Sequence, residues 1–275
     1  MNPLTIVLAT EMSFGSSGSG LAHGLRLLGH DVIEIPMNDY FLKPNTFFSS
    51  LLYRISMKYS QTLYSNAIRN AILHHNPDVF MTAKGMFIEK ELLVDLEKLK
   101  TISINYFPDY NFDQKMLFSE HFRHYDIFIT TKIFQIEYLK KLLGKNPYFV
   151  HHGYSTLTHR PRDIHESNFD YKYDIGYIGN PSDYKLRWLL SIADRFPEKS
   201  ILLAGKGWKE IVAGTSLERA HCPGVLSGDL YARAVGNCRI NIAVHLGKGG
   251  AQGWEDLVST RTFEIPACGG FMLHI

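Results

Sequence analysis

Arg261 and Glu264 lie three residues apart in the stretch Arg261-Thr-Phe-Glu-Ile-Pro-Ala-Cys-Gly-Gly-Phe-Met-Leu-His-Ile275. At that spacing, two side chains share one face of a helix. The helix is expected over Arg261–Ala267, with Gly269 and Gly270 breaking it before the apolar strand Phe271–Leu273. Open α/β sheets bind their ligands beside strand ends. An arginine there can hold a diphosphate bidentately. A glutamate can accept hydrogen bonds from the two hydroxyls of a ribose. The pair therefore points to a nucleotide-diphosphate site. Gly269 and Gly270 either let a backbone approach that ligand closely or simply cap the helix.

Further candidates sit where apolar runs end. Gly179-Asn180 closes the run Tyr173–Ile178, and Gly205-Lys206-Gly207-Trp208 closes Ser200–Ala204. Lys206 can screen phosphate charge and Trp208 can pack beside a base; a turn lysine and a core tryptophan are the plain alternatives. His245 ends Asn241-Ile-Ala-Val-His245 and precedes Gly247-Lys-Gly-Gly250. Asp109 follows a proline at the end of Asn105-Tyr-Phe-Pro-Asp109, a position that also suits a turn aspartate. Gly15-x-x-Gly18-x-Gly20 lies between a strand and a helix, as a phosphate-type loop or tight turn does. Its glycine order is not that of a dinucleotide fingerprint, and no acid ends the second strand. His151 and His152 are adjacent, so on a strand they face opposite sides and do not form a metal site.

Apolar β-branched runs alternate with helical patterns and must position these residues. Strands are expected at Leu4–Thr10, Asp78–Thr82, Thr101–Asn105, Asp126–Thr131 and Tyr148–His151, and Gly29–Ile35 gives a helix stop and a second strand. Helices are expected near Leu21–Leu28, Gln61–His74, Glu89–Leu99, Gln114–Phe122 and Phe134–Leu143. A polar interval, residues 156–170, contains Arg160-Pro-Arg162 and reads as a linker. The alternation then restarts, with strands at Tyr173–Ile178, Ser200–Ala204 and Arg239–Val244 and helices at Lys185–Phe196 and Leu230–Val235. Repeated βα units predict parallel sheets covered on both faces. The expected organisation is a Rossmann-like domain at 1–155, a linker at 156–170 and a second Rossmann-like domain at 171–275.

Composition narrows the function classes. The 275 residues are 45% hydrophobic and 20% charged, with a net charge of +2. That is a globular chain without a nucleic-acid footprint. Cys222, Cys238 and Cys268 are odd in number and widely spaced, which predicts reduced thiols and a cytoplasmic protein. No long apolar run predicts an integral membrane segment or signal peptide. The aromatics of Tyr40–Tyr64, including Phe41, Phe47, Phe48, Tyr53 and Tyr59, are read as core and helix packing rather than an acceptor or lipid-facing patch. The chain has no D-x-D pair, no G-x-S-x-G, no H-E-x-x-H and no Walker loop, so chemistry without a metal is expected.

R-T-F-E-I-P-A-C-G-G-F-M-L over residues 261–273 resembles the donor-site signature of the GT-B glycosyltransferases, in particular the CgeB-like (spore-maturation type) group. Gly29-His-Asp-Val32, Gly224-Val-Leu226 with Leu230-Tyr231, and Asn241–His245 are similar to other family segments. The resemblance implies an α/β GT-B architecture, two Rossmann-like domains facing each other across a cleft. It also implies a metal-independent transfer of a sugar from a nucleotide diphosphate, UDP- or GDP-linked, to a hydroxyl of a glycan, lipid or protein. Glu264 matches the ribose-binding glutamate, with Arg261, Gly179, Asn180, Lys206, Gly207, Gly269 and Gly270 around the donor. Asp256-x7-Glu264 imitates the E-x7-E spacing of retaining enzymes, with aspartate in place of the first glutamate. Asp109 matches an acceptor-facing segment as a base or orienting acid, and His245 a residue near the sugar or phosphate. Family members continue beyond the position of Leu273, so a second domain lacking its extreme C-terminal part is expected. The rival readings are a nucleotide-sugar epimerase or hydrolase on the same fold, and a non-catalytic binding module.

Overall fold

The structure, a computed structural model, describes residues 2–41, 47–112, 117–161, 171–249 and 254–275, with side chains omitted at 47–55 and 246–249. The chain divides into two compact units, Met1–His151 and His152–Ile275.

The first unit runs β1 (Thr5–Thr10), α1 (Ser17–Leu27), β2 (Asp31–Pro36), α2 (Phe47–His75), β3 (Val79–Ala83), α3 (Lys90–Lys98), β4 (Ile102–Phe107), β5 (Ile127–Thr130), α4 (Ile136–Leu143) and β6 (Tyr148–Phe149). Its six strands form one sheet in the order β2-β1-β3-β4-β5-β6, and every pairing is parallel. A parallel sheet is covered on both faces, so its central strands are apolar throughout. Ile6, Val7, Leu8 and Ala9 of β1 are accordingly all buried. Ile6 and Leu8 pack with Ala22 of α1, Val32, Val79 and Met81.

Two expected strands, from Asp78 and Asp126, begin one residue later than their apolar pattern suggests. The carboxylates are used as ties across the sheet edge: Asp78 accepts from the Thr5 N–H at 2.8 Å and Asp126 from the Ser103 N–H at 2.8 Å. The Gly15–Gly20 run is mostly helix rather than a loop. Ser16 caps α1 by accepting from the Ser19 N–H, and Ser17 to Gly20 form its first turn. Gly18 is required for packing, since a Cβ there would sit 2.1 Å from the Glu11 carbonyl oxygen. Of the helix expected at Gln114–Phe122, residues 114–116 lie outside the described part, and the chain from Ser119 to His124 is a 3-10 helix instead. Phe41 and Tyr64 are core residues, and Phe41 stacks on Phe87 at 3.9 Å. Tyr59 is exposed, and the side chains of Phe47, Phe48 and Tyr53 lie outside the described residues.

The second unit runs β7 (Tyr173–Ile178), α5 (Asp183–Arg195), β8 (Ile201–Ala204), α6 (Trp208–Ile211), β9 (His221–Gly224), α7 (Asp229–Gly236), β10 (Cys238–Ala243), β11 (Leu246–Gly249), β12 (Trp254–Asp256), α8 (Arg261–Ala267) and β13 (Met272–His274). Five parallel strands form a sheet in the order β13-β10-β7-β8-β9. Counted within the unit, that is 3-2-1-4-5, the doubly wound order whose direction reverses beside its first strand. The reversal falls between β7 and β10, and the strand ends there are Gly179 and His245. β11 and β12 form an antiparallel hairpin immediately after His245. The linker interval is described to Pro161; residues 162–170, Arg162 among them, lie outside. Among the described residues, no helix is long and apolar enough to cross a membrane.

Candidate functional site

The loop after β7 is held in place from three directions. Its Gly179 carbonyl accepts a 2.8 Å hydrogen bond from the indole of Trp208, which is 1% exposed and packs edge-on against Tyr177. Asn180 accepts from the Lys206 N–H at 3.2 Å through its side chain, and from Lys185 Nζ at 3.1 Å through its carbonyl. Ser182 caps α5 by accepting from the Lys185 N–H. Gly205 permits this closeness: a Cβ there would lie 2.3 Å from the Gly179 carbonyl oxygen. Gly207 adopts φ 85°, the left-handed turn that starts α6. Lys206 is exposed, so its contribution to the loop comes from its backbone.

Arg261 comes to the same place from the start of α8. Its guanidinium lies over the Tyr177 ring at 5.6 Å and fills the space a Cβ at Gly179 would take, 3.1 Å from Nη1. Its Nε is buried and has no hydrogen-bond partner among the described residues. Lys185 is half-buried, and desolvation, followed by the nearby Arg261 charge, brings its pKa down to about 8. Two cations thus converge at the switch point of the sheet, and among the described residues no carboxylate forms an ion pair with either. Such an arrangement has a deficit of negative charge that a phosphate group can fill.

Glu264, one turn further along α8, faces a different set of groups. The Tyr231 hydroxyl donates to its Oε2 at 3.4 Å, and His159 Nε2 lies 3.7 Å from its Oε1. Burial pushes its carboxyl above the usual range, while the Thr260 hydroxyl, the Arg261 charge and the Tyr231 hydroxyl pull it back. Arg261 and Glu264 share one helix face as expected, yet each is aimed at separate partners. The helix therefore presents a cationic end toward Gly179 and a carboxylate toward Tyr231.

Of the remaining expected residues, His245 is buried at the end of β10, its ring 4.3 Å from that of His274. Asp256 pairs in register with Leu246 across the β11–β12 hairpin, and its carboxylate accepts from the Val258 N–H at 3.3 Å. Gly250 lies outside the described residues. Gly269 and Gly270 have tasks other than donor contact. Gly269, at φ 77°, ends α8 with its N–H on the Pro266 carbonyl. A Cβ at Gly270 would meet Val235 at 2.4 Å and Asn241 at 3.0 Å. Both lie just before β13, at the sheet edge opposite the switch-point loops, because α8 runs back between the two edges. Asp109 belongs to the first unit, where it pairs with Lys84 at 2.6 Å. Its charge and burial raise the neighbouring Tyr106 hydroxyl to about 12, burial being the larger cause. Among the described residues, no three His, Cys, Asp or Glu side chains gather as a metal site.

Lys185 and His159 were missed by sequence reasoning. Lys185 carried a signal: it lies in the first turn of the helix that follows Gly179-Asn180, with Ser182 as a visible cap. His159 carried none, because its approach to Glu264 depends on a turn between residues 155 and 159.

The two units, each with a wholly parallel doubly wound sheet, have the GT-B fold. Residues 184–275 match a family described as glycosyl transferase-like. That span includes Lys185, Tyr231, Arg261 and Glu264. Among solved structures, the chain is similar to AviGT4, a glycosyltransferase involved in avilamycin A biosynthesis. The TM-score is 0.59 at 14% identity, covering 98% of this chain and 78% of that one. It is also similar to a protein described as a UDP-N-acetylglucosamine 2-epimerase from Listeria monocytogenes, with a TM-score of 0.55 at 13% identity over 100% and 79% of the two chains. A third is Arabidopsis thaliana UGT89C1 complexed with quercetin, with a TM-score of 0.52 at 10% identity over 99% and 79%. At such identities the likeness is one of fold. No curated protein sequence gives a significant match.

Proposed function

We propose that the protein is a glycosyltransferase of the CgeB-like type that takes a sugar from a nucleoside diphosphate and delivers it to an acceptor hydroxyl. The observation that carries this reading is the meeting of Arg261 and Lys185 at Gly179-Asn180, with the Arg261 Nε buried and unpartnered among the described residues. A leaving diphosphate develops negative charge as the glycosidic bond breaks. Fixed cations in a partly desolvated site stabilise that charge without reorganising. In this reading no metal is needed, because Lys185 and Arg261 meet the phosphates. Glu264 accepts from the ribose hydroxyls. His245 and Asp256 adjoin the sugar, and Asp109 orients or deprotonates the acceptor. The nucleotide sugar, UDP- or GDP-linked, is a substrate rather than a bound cofactor, and the acceptor is a glycan, lipid or protein hydroxyl. The reading places the activity in the cytoplasm.

The test is turnover of UDP- and GDP-linked sugars with and without an acceptor panel. The account predicts release of nucleoside diphosphate that depends on acceptor. Equal release without acceptor would favour the hydrolase reading, and conversion of the donor to its epimer without net release would favour the epimerase reading, which the 2-epimerase structure on the same fold keeps in view. Nucleotide binding without any turnover would favour a binding module. The anomeric configuration of the product, read by NMR, decides the role of Asp256: retention fits Asp256-x7-Glu264, and inversion assigns the base role to Asp109.

A further inference from the structure

His159 and Tyr231 surround Glu264, and neither has a place in the donor-site reading above. The backbone holds His159 in one orientation. Its N–H donates to the Ser155 carbonyl at 2.8 Å, and the Ser155 N–H donates to its Nδ1 at 3.2 Å. A ring nitrogen that accepts a backbone N–H carries no proton of its own, so in neutral His159 the proton is on Nε2. That nitrogen faces Glu264 Oε1. Burial lowers the imidazole pKa, favouring this neutral form. The His159 ring also meets the Tyr231 ring edge to face at 5.3 Å, so the two groups brace one another.

The carboxylate is therefore oriented from both oxygens. A carboxylate offers roughly four acceptor directions. The Tyr231 hydroxyl takes one, and the Thr260 hydroxyl also bonds the group. His159, at 3.7 Å, attracts Oε1 without occupying a hydrogen-bond direction at full strength. Directions remain for the two hydroxyls of a vicinal diol. We infer that His159 and Tyr231 are positioning residues that set the plane of Glu264 so that it selects ribose over deoxyribose in the nucleotide. This inference rests on the donor-site reading and adds the residues that determine sugar selectivity.

The experiment compares, by calorimetry on the full chain, UDP with 2′-deoxy-UDP and GDP with 2′-deoxy-GDP. Inorganic pyrophosphate serves as the probe of the phosphate half. The variants are His159→Leu, His159→Gln and Tyr231→Phe. The wild type is expected to prefer the ribonucleotide by about ten-fold or more, the worth of a hydrogen bond to a charged group. His159→Leu and Tyr231→Phe should each bring that ratio close to one while leaving pyrophosphate binding unchanged. His159→Gln places an amide N–H near the former Nε2 and should restore most of the ratio. An unchanged ratio in both His159→Leu and Tyr231→Phe overturns the inference. So does an equal loss for ribonucleotide, deoxynucleotide and pyrophosphate, which marks a merely structural role. A wild type that binds neither nucleotide fails the donor-site reading itself, and this inference with it.

Discussion

Lys185 is the residue whose environment makes the clearest statement. A lysine with a pKa near 8 is charged only in part at neutral to mildly alkaline pH, and desolvation is the larger reason, with Arg261 second. An anion bound between the two cations favours the protonated form, so binding must draw in a proton. Above about pH 7 a terminal phosphate is already dianionic and contributes little further change. Nucleotide affinity should therefore fall as pH rises through 8, by up to about ten-fold per pH unit. Calorimetry in buffers of differing ionisation enthalpy should show net proton uptake at pH 8.5, and an affinity flat from pH 7 to 9.5 would remove Lys185 from the site. The same shift acts on stability in the opposite sense. The folded value lies below the unfolded 10.5, so the cost of holding a charged Lys185 is present below 8 and is relieved as pH climbs from 8 toward 10.5. Arg261 and Glu264 were legible in the sequence because a three-residue spacing on a helix fixes a shared face. Their partners were not, since Tyr177 and Tyr231 reach them only through sheet packing. Gly269 and Gly270 show the converse: one glycine pair suits both ligand approach and helix termination, and only the packing against Val235 and Asn241 separates the two.

At the scale of elements, the site depends on how the ends of β7 and β8 are locked together. Trp208 makes the lock, filling the core between Tyr177 and Leu203 while its indole N–H reaches the Gly179 carbonyl. Trp208→Phe keeps an aromatic ring but removes that donor. A half-buried carbonyl left unpaired costs about 1 kcal/mol, toward the low end of the range for a buried group. The variant should unfold at lower denaturant by that amount and also bind nucleotide more weakly, because Gly179-Asn180 loses one of its ties. Unchanged binding alongside reduced stability would show that the loop does not touch the ligand. Strands and helices were largely readable from the alternation of apolar runs, as β7, β8, β10 and α8 show. Three kinds of element were not. The four-residue α6 and β9 are too short to carry a period. The β11–β12 hairpin is rich in glycine and lacks an apolar stripe. The first turn of α1 is built from Ser and Gly, whose intrinsic preferences favour a loop, and close packing of Gly18 on the end of β1 outweighs that preference.

At the scale of the whole chain, two doubly wound sheets establish the GT-B fold but not a reaction. Structures with this fold are described both as glycosyltransferases and as a nucleotide-sugar epimerase. Function has to come from the site. The central claim is that Lys185 and Arg261 hold the diphosphate of a nucleotide, with Glu264 on its ribose. Its most direct test is calorimetric titration of UDP, GDP, ADP and dTDP into the full chain, the Glu264→Ala variant and the double variant Lys185→Met/Arg261→Met. The account predicts that one nucleoside diphosphate binds the wild type. Charge-assisted hydrogen bonds contribute about 1.5–3 kcal/mol each, so the double variant should bind at least about 100-fold more weakly, and Glu264→Ala about 10-fold or more. A folded wild type that binds none of the four, or a double variant that binds as tightly as the wild type, would contradict it.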